Sequence, residues 1–265
     1  MFAFHAITGT AAETRADPVV RQITINDLKD AARKGLDDFM SMPTHVIFLA
    51  IIYPLVGLFL ARLTFGHEML PLLFPLVAGY ALIGPFAAIG LYEMSRQREQ
   101  GREVSWRNAL DVFKCPSLDA IGALGLVLMI VFLLWLVAAM FLYRSLFNGY
   151  NPQSVMGFIG EILTTPHGWA LIVLGHIAGF PFAVLALTIG VVSFPMLLDR
   201  DVGALTAVRT SVRAVLLNPV PMAAWGLFVA VALALGSVPF FVGLAVVMPV
   251  LAHASWHLYR KVVAN

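Results

Sequence analysis

Charge is what this chain is short of. Asp, Glu, Lys and Arg make up only 12% of its 265 residues, against about 25% in a soluble globular domain. That deficit excludes an ordinary water-soluble fold. The formal net charge of +2 excludes the broad basic face that nucleic acid requires. A lone cysteine, Cys115, excludes an internal disulfide and any metal cluster built on thiolates. No phosphate-binding glycine loop, HExxH or GxSxG is present; Ser193 sits in VVSFP. The familiar signatures of nucleotide, zinc-protease and serine-hydrolase chemistry are therefore missing, and no enzyme activity or cofactor is expected. The opening MFAFHAITGT turns polar with no apolar core before a cleavage site, so no secretory signal is expected. Residues 1–22 are expected to form a flexible cytoplasmic tail.

What the chain has instead is apolar sequence in blocks. Sixty per cent of its residues are hydrophobic, and they occur in runs of about 20, the length of one bilayer crossing. Backbone polar groups in lipid must be satisfied internally, which leaves helices or a closed barrel. Continuous rather than alternating runs select helices, and the fold class is all-α and polytopic. Six spans are expected over Thr44–Leu63, Met69–Leu91, Leu118–Tyr143, Trp169–Leu198, Pro219–Gly236 and Val238–Leu258. The fourth exceeds one crossing, so tilt or a kink near Pro181 is expected to absorb the excess. Of the 17 basic residues, only Arg62 and Arg144 fall outside the N-terminal segment, the second-to-third and fourth-to-fifth connections and the C-terminus. The excess of Lys and Arg on one side predicts cytoplasmic N- and C-termini in an inner membrane.

The stretches before Pro43, Pro116 and Pro219 align as AARKGLDDFMSMP, VSWRNALDVFKCP and AVRTSVRAVLLNP. Each has helical periodicity. Leu28, Ala32, Leu36 and Phe39 are expected to share an apolar face in the first, with Thr24 and Asp27 as a capping box. Trp106, Ala109, Leu110 and Phe113 do so in the second behind a Ser105 cap, and Leu205, Val208, Val212 and Val215 in the third. Such helices lie in the membrane interface, and proline ends each one. The unit is then an interfacial helix, a proline and a transmembrane hairpin, used three times. A single membrane domain, 23–263, would hold units at about 23–92, 103–198 and 203–258. Arg33, Arg107, Arg209 and Arg213 are expected to meet anionic headgroups.

The stretches MPTHVIFLAIIYPLVGLFLARLTFG, LFPLVAGYALIGPFAAIGLYEMSRQREQG, SFPMLLDRDVGALTAVRTSVRAVLLNP and HASWHLYRK resemble a family of predicted bacterial integral membrane proteins, the domain of unknown function numbered 2189. The resemblance runs from Ile23 to Val263, with DRDVGA and WHLYRK as its most specific parts. It implies a bacterial inner-membrane protein and brings no activity or catalytic residue with it.

Residues with chemical potential are few. His253 and His257, at i and i+4, share a helix face with the spacing of two metal ligands. Trp256, Tyr259, Arg260 and Lys261 beside them favour an interfacial anchor instead. His176 lies inside a span, where an ionisable group is a functional suspect; a neutral imidazole bonded to a neighbouring helix is the plainer reading. Gly175 and Gly179 around it form a GxxxG that would admit a close helix, including that of a second copy. Glu93, Asp199 and Arg200 stand at helix rims, where charges are usually solvated or paired. Gly84–Pro85, Gly179–Pro181 with Pro195, and Pro249 are expected to interrupt the second helix of each unit, and helices broken at matching places in repeats point to a binding site. The leading expectation is a membrane scaffold, interaction or lipid-associated protein. A channel or small-solute transporter comes second, and a haem or metal protein third.

Overall fold

The computed structural model describes residues 18–42, 71, 75–76, 84–85, 88–148, 154–238 and 242–264. The first expected span, and more than half of the second, lie outside them. Among the described residues the chain forms nine α-helices and one 3-10 helix: α1 (Ile25–Ser41), α2 (Ile89–Glu99), the 3-10 helix (Trp106–Lys114), α3 (Leu118–Phe147), α4 (Val155–Thr164), α5 (Pro166–Gly190), α6 (Ser193–Asp199), α7 (Ala204–Leu217), α8 (Pro219–Ser237) and α9 (Leu244–Val262). Two compact units result, one of Met1–Ala50, Gly84–Val127 and Leu187–Asn265, the other of Ile51–Ile83 and Leu128–Ala186.

Three stretches among the described residues are long and apolar enough to cross a bilayer: Leu118–Phe147, Pro166–Asp199 and Pro219–Ser237. The expected span Val238–Leu258 is not one of them. Its helix, α9, starts later and carries His253, His257, Arg260 and Lys261, and most of its length is buried in protein.

In the first unit one packing relation occurs three times. The 3-10 helix packs on α2, α7 on α6, and α1 on α9, while α2, α6 and α9 also pack on one another. The two capping boxes are those expected. The Thr24 hydroxyl and N–H both donate to Asp27 Oδ2 at 2.8 Å, and the Ser105 N–H donates to Asn108 Oδ1 at 2.8 Å. The faces presented to the protein are largely not the apolar stripes read from the sequence. α1 buries Leu28, Ala31, Gly35 and Asp38 and leaves Leu36 exposed. Likewise α7 buries Ala207, Thr210, Ser211 and Ala214. The 3-10 helix leaves Trp106, Leu110 and Phe113 exposed. Small and polar residues face inward because the helices cross closely. A Cβ on Gly35 would stand 2.5 Å from the Ala254 backbone nitrogen, inside van der Waals contact, so only glycine permits α1 to meet α9 there.

The break in the long fourth run is at Val191–Val192 between α5 and α6, not at Pro181, which stays inside α5. Pro195 has no N–H, and its ring excludes the carbonyl four residues back, that of Val191. α7 takes up the interrupted ladder: Ser211 Oγ donates to the Thr188 carbonyl at 2.7 Å and accepts from the Val192 N–H at 3.2 Å. The chain ends are joined as well. Arg21 N–H donates to the Val262 carbonyl at 2.7 Å, Ala264 N–H to that of Val19 at 2.9 Å, and Val20 bridges Val263 in antiparallel fashion. Buried Asn218 accepts from Ile23 N–H at 2.8 Å and donates to the Arg21 carbonyl at 3.0 Å. The last residues expected in the loose tail are thus fixed, because they satisfy backbone groups left over at the end of α9.

The second unit is held by aromatic contacts. Trp135 Nε1 donates to the Pro75 carbonyl at 3.0 Å, and its indole lies where a Cβ on Gly179 would be, 3.0 Å from the ring. Tyr143 stacks on Phe147 with centroids 4.8 Å apart and meets the edge of Phe158. That last contact docks α4, a helix absent from the sequence expectation. Val137, Phe141, Ile177 and Phe180 point outward.

Candidate functional site

The polar chemistry of the first unit gathers at two places. One centres on Asp38, buried on the inner face of α1. Its Oδ2 receives Ser95 Oγ at 2.5 Å and His257 Nε2 at 2.9 Å, and its Oδ1 pairs with the Arg98 guanidinium, which also donates to Ser41. Burial alone would raise the Asp38 carboxyl. Hydrogen bonds from His257, Ser95 and Arg98, with the electrostatic pull of His257, outweigh it and hold the group below its usual range. The ionised carboxylate takes the single Ser95 proton. Ser95 Oγ, 2.7 Å from His253 Nδ1, must then accept from that nitrogen, which sets the imidazole tautomer. Nε2 of His253, which is 0% exposed, has no hydrogen-bond partner among the described residues.

The other is an open cleft of about 490 Å³ between α2, the 3-10 helix and the residues that follow α6. Arg96 grips Glu93 with two nitrogens at 2.8 and 3.0 Å. Gln97 bridges Glu93 to Asp111, at 2.7 and 3.1 Å, and Lys114 pairs with Asp111 at 2.6 Å. Asp199 receives the Tyr259 hydroxyl at 2.7 Å and Arg260 at 3.4 Å. Arg260 reaches Glu99 at 3.1 Å as well, tying the ends of α2, α6 and α9 together. The Cys115 thiol lies half-buried on the same cleft, 3.6 Å from the Leu197 carbonyl, and burial pushes its ionisation up. Its environment is that of a packed thiol rather than a nucleophile.

Of the residues singled out from the sequence, Glu93, Asp199 and Arg200 line this one cleft. His253 and His257 belong to the Asp38 cluster. Each bonds a different partner within that cluster, and among the described residues no group of three His, Cys, Asp or Glu is placed to hold a metal ion. His176 lies in the second unit, exposed on α5, with Nδ1 2.7 Å from the Ile172 carbonyl of its own helix, and does not line the cleft. Gly179 is filled by Trp135 of the same chain, while among the described residues no atom comes within 4 Å of a would-be Cβ on Gly175. Arg33, Arg107, Arg209 and Arg213 are exposed, and the Arg107 guanidinium lies 5.6 Å from the centre of the Trp106 ring.

Asp38, Ser95, Arg98, Asp111 and Tyr259 were not anticipated. One signal was available. Asp38 and Asp111 stand five residues before Pro43 and Pro116 in the aligned segments, and both turn inward to bond α2.

Residues 73–199 match a family described as "Predicted integral membrane protein (DUF2189)". The match ends where DRDVGA begins, and WHLYRK lies beyond it. No curated protein and no solved structure matches the chain. With its long apolar helices, the chain is an integral membrane protein.

Proposed function

We propose that this integral membrane protein is a six-span inner-membrane scaffold, built from three repeated hairpins, whose ionic head is set into the cytoplasmic interface by a collar of three amphipathic helices. It carries out no reaction of its own. The threefold packing of an interfacial helix on the end of a hairpin supports the repeat, with α1 closing the series on α9. The joined chain ends support an even number of crossings. One observation carries the reading. Met40, Phe113 and Leu216 occupy the same position before Pro43, Pro116 and Pro219, and are 76%, 68% and 73% exposed. Large apolar side chains turned away from a polar head belong in the headgroup–acyl boundary. The exposed arginines nearby suit anionic lipid.

The test uses Met40→Cys, Phe113→Cys and Leu216→Cys, each in a Cys115→Ser background, labelled with a fluorophore and reconstituted with brominated lipid. Quenching at all three positions is expected. Labels that respond only to aqueous quenchers would overturn the collar.

A second reading, movement of a small polar solute, is favoured by the cleft that brings together Glu93 of α2 and Asp199 of α6. Proteoliposomes should then take up labelled glycine or phosphoethanolamine, with uptake lost in Glu93→Gln. Vesicles impermeable to both would remove that reading.

A further inference from the structure

The cleft has a surplus of a particular kind. Four cations line it, Arg96, Arg102, Lys114 and Arg200, and four carboxylates, Glu93, Asp111, Asp199 and Asp201. Three of the carboxylates are saturated from within. Glu93 takes Arg96 and Gln97; Asp111 takes Lys114, Gln97 and Asn108; Asp199 takes Tyr259, Arg260 and Arg200. Asp201 is the exception: among the described residues it receives only Ser117 Oγ, at 3.5 Å, beyond the range of a good hydrogen bond. Among the cations Arg102 has no side-chain partner among the described residues. Arg96 uses Nε and Nη2 on Glu93, and Arg200 uses Nη2 on the Ala264 carbonyl at 2.5 Å. Each keeps a guanidinium edge with donors to spare.

The balance discriminates between ligand classes. A divalent cation would need several uncommitted carboxylates, and only Asp201 is uncommitted. A bare anion would suit the arginines but would leave Asp201 facing it. A molecule carrying both signs satisfies both halves and keeps the lining neutral. We infer that the cleft binds a small zwitterion, its phosphate or carboxylate taken by Arg102 with the outer edges of Arg96 and Arg200, and its ammonium by Asp201. Planar guanidinium donors are suited to such oxyanions, and the volume is that of a small-molecule site. The inference rests on the cleft alone, and holds whether the protein acts as a scaffold or passes the ligand on. Two sources share this chemistry: the headgroup of phosphatidylethanolamine and a free solute such as phosphoethanolamine.

Thermal unfolding and titration calorimetry of the detergent-purified full chain, with phosphoethanolamine, inorganic phosphate and ethanolamine as probes, test it. Lipid retained from nanodiscs of phosphatidylethanolamine or phosphatidylglycerol, read by native mass spectrometry, forms the second arm. Arg102→Gln and Asp201→Asn are the variants, because neither side chain supports the fold. Phosphoethanolamine should raise the unfolding midpoint and bind more tightly than phosphate or ethanolamine, and each variant should weaken it at least about tenfold, the loss of one charged hydrogen bond. Selective retention of phosphatidylethanolamine, lost in both variants, supports the same site with lipid as the source. Phosphate binding equal to that of phosphoethanolamine, binding untouched by both substitutions, or no binding in either arm would overturn the inference.

Discussion

The two compact units are stabilised in different ways. The first holds, beside the long apolar helix α8, a polar head of short helices whose buried positions include Asp38, Glu93, Ser95, Gln97, Ser211, Asn218 and His253, nearly all hydrogen-bonded across elements far apart in sequence. The second contains the apolar lengths of α3 and α5, and the most apolar window of Pro166–Asp199 is only 6% buried in protein. Directional bonds specify the first, where each polar group needs its one partner. In the second, lipid does what a core does elsewhere, and any apolar residue is acceptable on the outer faces. The head should therefore be intolerant of change and the long helices forgiving.

The sharpest way to break that comparison is a pair of glycine substitutions. Gly35→Leu puts a side chain into the Ala254 backbone and should cost about 3 kcal/mol or more, read as loss of folded protein in detergent. Gly175→Leu, in open space, should be neutral or slightly stabilising, since glycine is a poor helix former. Equal damage from both would erase the distinction.

A smaller effect is expected at the α5–α6 junction. Ser211→Ala removes the hydroxyl that serves both the Val192 N–H and the Thr188 carbonyl, leaving two buried groups unpaired at a cost of about 1–3 kcal/mol. Thermal unfolding measures the loss, and faster hydrogen exchange at Val192 localises it. Ser145→Ala, on the exposed part of α3 where the hydroxyl bonds only its own helix, should be silent.

The smallest effect is pH-dependent and confined to the head. Asp38, Asp27 and Asp30 are held below the usual carboxylate range, Asp27 chiefly by Thr24 and Asp30 chiefly by Lys261. A depressed carboxyl stabilises the fold above its unfolded value, about 3.9, and the contribution is lost as pH falls through the folded value. Near that pH the unfolded chain binds more protons, so α1 should loosen from α9 as acid is added. Hydrogen exchange along α1 should rise between about pH 5 and 3 while Leu128–Phe147 stays unchanged. Parallel change in both would show that the head is not the titrating part.

What could be read from residues in order was local. The caps at Thr24 and Ser105, the prolines Pro116 and Pro219 that follow the 3-10 helix and α7, and the apolar runs that match a bilayer depend on neighbours within a few positions. The Asp38 cluster was out of reach because Ser95 and His257 are 57 and 219 positions away, and no periodicity reports such a pair. Glu93, Asp199 and Arg200 were visible as rim charges, but their meeting in one cleft follows from how α2, α6 and α9 converge.

The amphipathic helices mark the boundary between the two kinds of information. Sequence alone determined that α1, the 3-10 helix and α7 are two-faced and that the chain lives in lipid. Only the tertiary structure decided which face turns inward. In α1, the 3-10 helix and α7 the large apolar side chains Met40, Phe113 and Leu216 point out, while Gly35 and Ser211 pack within, because a close helix crossing leaves room only for small side chains.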